Sequence, residues 1–205
     1  MGFPDYKKDL ANDEVDINYI LDRYFHSGES HAFVGAPPGE EAKLKNEVAR
    51  ALYAAFQIRV HPYQLVICGS AHLGFSPVPD KFGKPFDPAN TDIDLAVVSP
   101  ELFDQWWTEL QTSGLDEPTR TVVSRDLFFG FMNPANIRDV SSCGMKWWQV
   151  FGGIKTDRAQ GVRGRLYRNF WSMQSYHRLA VVWGRQRLLS QTVGSSEQST
   201  PLGSQ

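Results

Sequence analysis

Two short apolar strands set between well-marked helices predict a mixed domain, α+β or α/β in class. Three segments carry that reading. Residues 40–56 place Leu44, Val48, Leu52 and Phe56 on one helical stripe, with Glu40 and Glu41 in the first turn, where the helix dipole favours acids. The runs QLVIC, closed by Gly69, and DIDLAVV, ending at Ser99, have the length and composition of strands. The stretch SMQSYHRLAVVWGRQRLL reads as a final helix.

The other elements follow in order. The start, MGFPDYKKDLANDE, is polar and expected to be loose. DEVDINYILDRYFHSG predicts a helix capped by Asn12 or Asp13, with Ile17, Ile20, Leu21 and Phe25 at helical spacing. A Gly/Pro loop follows, then the helix of residues 40–56 and the first strand. Residues 75–90 hold Pro77, Pro79, Pro85 and Pro88 together with Gly83 and predict a long irregular loop, a candidate lid. After the second strand, Ser99 and Pro100 open a helix over PELFDQWWTELQ. Beyond residue 113 the pattern weakens. RDLFFGFMNPANI and SSCGMKWWQVFGG mix apolar and turn residues, and VRGRLYRNF is a candidate strand. With no repeat and no linker, residues 1–190 are expected to form one domain and residues 191–205, rich in Ser, Gly and Gln, a disordered tail.

Composition excludes some partners. Among 205 residues, 41% are hydrophobic and 21% charged, the balance of a soluble globular domain. A net charge of −2 gives no overall pull toward nucleic acid or an anionic membrane, so a polyanion must be met locally. Arg163, Arg165 and Arg168 are the one concentrated basic feature. Cys68 and Cys143 make no disulfide framework; Cys68, within an apolar run, is expected to be a buried thiol in a reducing compartment. No secretory signal, membrane span or acylation signal is expected, since Tyr6 stands where acylation wants Ser or Thr, and the expected location is cytoplasmic without membrane contact. The paired tryptophans, Trp106-Trp107 and Trp147-Trp148, cannot both bury on one narrow stripe. One of each pair is expected to line a groove or a contact between subunits.

The chemistry concentrates in CGSAHLGFS and TDIDLAVV. Strand residues two apart share a face, so Asp92 and Asp94 lie together, with Ile93, Leu95 and Val97 opposite, toward a core. Two neighbouring carboxylates repel unless a cation sits between them, and Mg²⁺ or Mn²⁺ bridged to substrate phosphates suits such a pair. Gly69-Ser70, directly after a strand, supplies a turn whose N–H groups can bind phosphate. Lys81 and Lys84 in the long loop, and Arg163 and Arg165 on the candidate strand, are further phosphate-binding candidates.

These two segments, an apolar strand with Gly-Ser and then an alternating Asp-x-Asp strand, resemble the signature of the DNA polymerase β-like nucleotidyltransferase superfamily over residues 60–110. The resemblance implies an α+β fold, a small mixed sheet flanked by helices with a C-terminal helical part. It implies that Gly69 and Ser70 hold a nucleoside triphosphate, and that Asp92 and Asp94 are catalytic and bind Mg²⁺ or Mn²⁺. The reaction would transfer a nucleoside monophosphate from an NTP or dNTP to an acceptor hydroxyl on a small molecule, nucleotide, nucleic acid or protein. The single-domain plan is similar to bacterial stand-alone nucleotidyltransferases, which include antiphage-defence enzymes (the Hailong type among them) and antitoxins. On that reading an effector partner protein and a homo-oligomer are candidate associations.

Two departures stand out. PVPDKFGKPFDPAN lengthens the gap between the Gly-Ser turn and the acids. The superfamily also takes a third carboxylate from a later strand, whereas the candidate strand here carries arginines; Asp126, Asp139 and Asp157 are the remaining candidates. The rival reading is therefore a catalytically degenerate nucleotidyltransferase fold that binds nucleotide or a partner protein. A third is an interaction module built on the Trp pairs.

Overall fold

The computed structural model describes residues 2–196, with side chains through residue 190. Its elements are α1 (Phe3–Ala11), α2 (Ile17–Ile20, continued by a π-helical turn over Leu21–His26), α3 (Glu40–Phe56), β1 (Leu65–Cys68), α4 (Gly69–Leu73), β2 (Ile93–Val98), α5 (Pro100–Thr112), α6 (Glu117–Phe128), β3 (Phe131–Met132), α7 (Ser142–Gly153), β4 (Val162–Tyr167) and α8 (Phe170–Ser196). The class is α+β, with one small mixed sheet in the order β1-β2-β4-β3. β1 runs antiparallel to β2, β2 parallel to β4, and β3 antiparallel to β4.

Alternation along the strands divides the molecule into two sides. Ile93, Leu95 and Val97 of β2, with Val162 and Leu166 of β4, enter the main core. There they join the α3 stripe Leu44, Val48, Leu52 and Phe56, and Trp106 and Trp147 from α5 and α7. Each large apolar side chain buried in this way is worth roughly 1.5–3 kcal/mol. The opposite face presents Cys68, Ala96, Val98 and Tyr167 to Met173 of α8. A separate cluster joins α1, α2 and α8 through Tyr6, Leu10, Ile20, Phe25 and Val181. Among the described residues no helix is long and apolar enough to cross a membrane.

Several segments differ from expectation. The chain start is helical rather than loose: Pro4 occupies the first turn, Asp5 accepts a hydrogen bond from the Gly2 N–H at 3.1 Å, and Tyr6 and Leu10 are fully buried. Its short apolar stripe was masked by the intervening lysines and aspartates. α2 begins later than expected, because Asp16, not Asn12 or Asp13, accepts from the N–H groups of Asn18 and Tyr19. The ambiguous SSCGMKWWQVFGG is a helix capped by Ser141, whose Oγ accepts from the Gly144 N–H at 2.9 Å. Of the expected tail, residues 191–196 continue α8 and residues 197–205 lie outside the described residues.

The Pro-rich insertion is pinned, not free. Ser76 and Lys84 are tied by a backbone bond at 2.8 Å, as are Gly83 and Ser76. Phe82 packs against Phe3, Tyr6 and Trp183, and the Arg187 guanidinium donates to the Pro79 carbonyl at 3.0 Å. These contacts fasten the loop to α1 and α8, and its Pro77 and Val78 line the cleft described below.

Candidate functional site

β1 ends at Cys68, and the chain turns at once into the five-residue α4. The turn residue Gly69 has φ +62°, a left-handed conformation that disfavours side chains, and a Cβ there would stand 3.1 Å from Asp94 Oδ2. Glycine is thus fixed twice at position 69, by the turn and by the nearby carboxylate. The β1–β2 register sets Cys68 beside Asp94, and the β2–β4 register sets Arg163 on Asp94's other side, with Arg165 beside Ala96. Asp92, just before β2, forms an ion pair through Oδ2 with the Arg163 guanidinium. Its Oδ1 leans on Gly161, where a Cβ would come within 2.9 Å.

The four charged groups differ in freedom. The Arg163 side chain is 70% exposed and that of Asp92 only 17%. Arg165 is half-buried, its guanidinium 4.6 Å from the centroid of the Tyr176 ring on α8. Asp94 is exposed to solvent in the cleft it lines, although protein atoms crowd round its carboxyl. Crowding by protein atoms pushes its carboxyl above the usual carboxylate range and Asp92 adds to that, while Arg165 and Arg163 pull it back.

Gly69, Asp92, Asp94, Arg163 and Arg165 all line one cleft of about 710 Å³. β3 pairs only with Leu166 and Tyr167, so the outer edge of β4 from Val162 to Arg165 is open, and the cleft passes along it. On the α8 side its wall is Tyr167, Tyr176 and His177; on the α7 side it is Trp147, Trp148 and Lys155. Within each Trp pair one ring is buried (Trp106 and Trp147) and the other exposed (Trp107 and Trp148), and Trp148 reaches the cleft.

Other sequence candidates stand elsewhere. Ser70, Lys81 and Lys84 do not line the cleft, although Lys81 is near enough to lower the Asp94 carboxyl slightly. Of the candidate third acids, Asp126 is buried and accepts from Asn136 at 3.2 Å, Asp139 is exposed beside Arg138, and Asp157 is exposed; none lines the cleft. Among the described residues, no group of three or more His, Cys, Asp or Glu is placed to hold a metal ion. Sequence reasoning missed Gly161 and His177. Gly161 had a signal, a small residue just ahead of an arginine-bearing strand; His177 had none, because its placement depends on how α8 crosses the sheet.

Compared with known proteins, the chain matches no family model, no curated protein and no solved structure. Its site must be read from its own groups. Two carboxylates face two guanidiniums, so the assembly is close to neutral and holds no strong cation trap by itself. An incoming phosphate could be met by Arg163 and Arg165, which would leave the carboxylates to a cation carried with it.

Proposed function

We propose that the chain is a nucleotidyltransferase of the polymerase β-like type, using Mg²⁺ or Mn²⁺ to transfer a nucleoside monophosphate from an NTP or dNTP to an acceptor hydroxyl. The observation that carries this reading is the convergence of the Gly69 turn, Asp92, Asp94, Arg163 and Arg165 on one cleft. The residues fit a divalent cation in two respects. The Arg163 guanidinium already sets a cation against Asp92, and Gly69 and Gly161, where a Cβ would press to 3.1 Å and 2.9 Å on the carboxylate oxygens, keep side chains off Asp94 and Asp92. With two protein carboxylates, the remaining ligands must be phosphate oxygens and water, as Mg²⁺ commonly accepts.

Asp92 and Asp94 would hold the metal, which when bound supplies charge neutralisation at the phosphates and activates the acceptor hydroxyl. Arg165, fixed over Tyr176, orients the phosphate chain, and Arg163 offers a second, freer guanidinium. The Gly69 turn brings backbone close to the same anion. Tyr176 and Trp148 offer aromatic surface to a base or an acceptor. The wider setting we propose is a cytoplasmic enzyme of the antiphage-defence kind, making a nucleotide oligomer or modifying a partner.

One observation favours a second reading. The strand beside Asp94 bears arginine where a third acid is expected, which suits a degenerate fold that binds nucleotide without turnover. Incubation with each labelled NTP and dNTP plus Mg²⁺ or Mn²⁺ separates the two. Product that disappears in Asp92→Ala/Asp94→Ala supports the enzyme. Product that persists in the double variant sinks the metal assignment, and metal-dependent binding without product leaves the degenerate fold.

A further inference from the structure

We infer that Arg163 is a built-in counter-ion that bars a bare divalent cation from Asp92 and leaves only when a phosphate arrives to take it, so that the cleft accepts a metal–nucleotide complex and not the metal first. The inference rests on the nucleotide reading above and deepens it by naming the form of the substrate.

Three observations support it. Arg163 Nε is paired with Asp92 Oδ2, so one of the two carboxylate oxygens that a cation would use is already engaged. The two partners are unequally held. Asp92 is enclosed and leans on Gly161, while the Arg163 side chain is 70% exposed and free to swing. Arg165, in contrast, is held over Tyr176 and cannot follow. The strand register also leaves no substitute: on β4 the residue beside Asp94 is Arg163 itself, and the next side chain on that face is Arg165. A bare cation that takes both oxygens of Asp92 must displace a guanidinium from a poorly hydrated carboxylate, and in any position here it sits beside both arginines. A cation carrying phosphate brings the anion to which Arg163 transfers, and bidentate phosphate contact suits a guanidinium at least as well as a carboxylate does. Cation and phosphate binding are thereby coupled through one side chain, each favouring the other by the same factor.

The test is binding, independent of turnover. Mn²⁺ is titrated calorimetrically into the full chain alone, and again with a non-hydrolysable ATP analogue present, for wild type, Arg163→Gln and Arg163→Lys. Wild type should bind bare Mn²⁺ weakly and Mn²⁺ with the analogue much more tightly. In Arg163→Gln, bare Mn²⁺ should bind tighter by on the order of tenfold, the scale of one partly exposed charge contact, and the gain from the analogue should shrink. Arg163→Lys, which keeps the charge, should stay near wild type. An unchanged or weaker affinity for bare Mn²⁺ in Arg163→Gln, with wild type still binding the Mn²⁺–analogue complex, overturns the counter-ion role alone. No Mn²⁺ binding by wild type even with the analogue overturns both the counter-ion role and the metal-dependent reading.

Discussion

His177 should make the fold lose stability steadily as the solution is acidified. The side chain lies on α8 with 6% of its surface exposed, its ring 5.5 Å from Phe25, 5.9 Å from His26 and 6.5 Å from Tyr167. Its Nδ1 is buried and finds no hydrogen-bond partner among the described residues. Burial first, then the facing His26, Arg165 and His72, push its pKa from 6.5 down to about 3. Between those two values the unfolded chain carries a proton that the folded chain refuses. Stability is therefore full above pH 6.5 and falls as the pH drops toward 3, by up to about 1.4 kcal/mol per pH unit. Across the whole window the loss approaches ~4–5 kcal/mol, a large share of the ~5–15 kcal/mol that holds a typical domain together. Urea unfolding at half-unit steps from pH 8 to 4.5 measures this, with His177→Phe as reference, since phenylalanine keeps an aromatic ring and cannot take the proton. The wild type should lose about 2 kcal/mol more than the variant between pH 6.5 and 5. Superimposable pH profiles, or an NMR titration placing the ring's pKa near 6.5 in the folded protein, would refute the reasoning.

Three further outcomes are expected. Gly164→Ala puts a Cβ 2.2 Å from Phe151 and 2.6 Å from Trp147, so it should destabilise by about 1–3 kcal/mol in chemical denaturation. Gly69→Ala forces a left-handed alanine, at about 1–2 kcal/mol, and presses on Asp94; nucleotide binding by calorimetry should weaken by more than the stability change explains. Glu109 accepts from Ser142 Oγ at 2.9 Å, from the Cys143 N–H at 3.0 Å and from Cys143 Sγ at 2.7 Å, joining α5 to the start of α7. Glu109→Ala should cost about 1–3 kcal/mol. It should also speed Cys143's reaction with a thiol reagent at mildly alkaline pH, because burial and then Glu109 hold that thiol up at about 12.

The sequence carried the local parts of the site well and the long-range parts poorly. Asp92 and Asp94 sharing a face, and Gly69 at the strand exit, follow from a two-residue period and a turn residue, and both needed only neighbours in the chain. The stripe of α3 was legible for the same reason: Leu44, Val48, Leu52 and Phe56 repeat over four turns. α1 escaped notice because its stripe is short and set among charges, and only its docking on α8 reveals it. Gly161 against Asp92, Arg163 beside Asp94 and His177 against Phe25 each depend on a crossover between distant segments. No local period records such a pairing. The fastening of the Pro-rich insertion was not legible on the same account, since Phe82 finds its partners in α1 and α8.

The open edge of β4 also bears on how copies of this chain behave when crowded. A strand with unpaired N–H and C=O groups is a template for a foreign strand, the first step toward aggregation. Here the exposed length is short and recessed between α7 and α8, and the Trp147 indole N–H already donates to the Gly164 carbonyl at 3.2 Å. The other two edge strands, β1 and β3, have four and two residues. A partner strand would find few consecutive groups to grip. Leaving β4 partly uncovered thus gives the molecule a cleft without giving its neighbours a seam along which to stack.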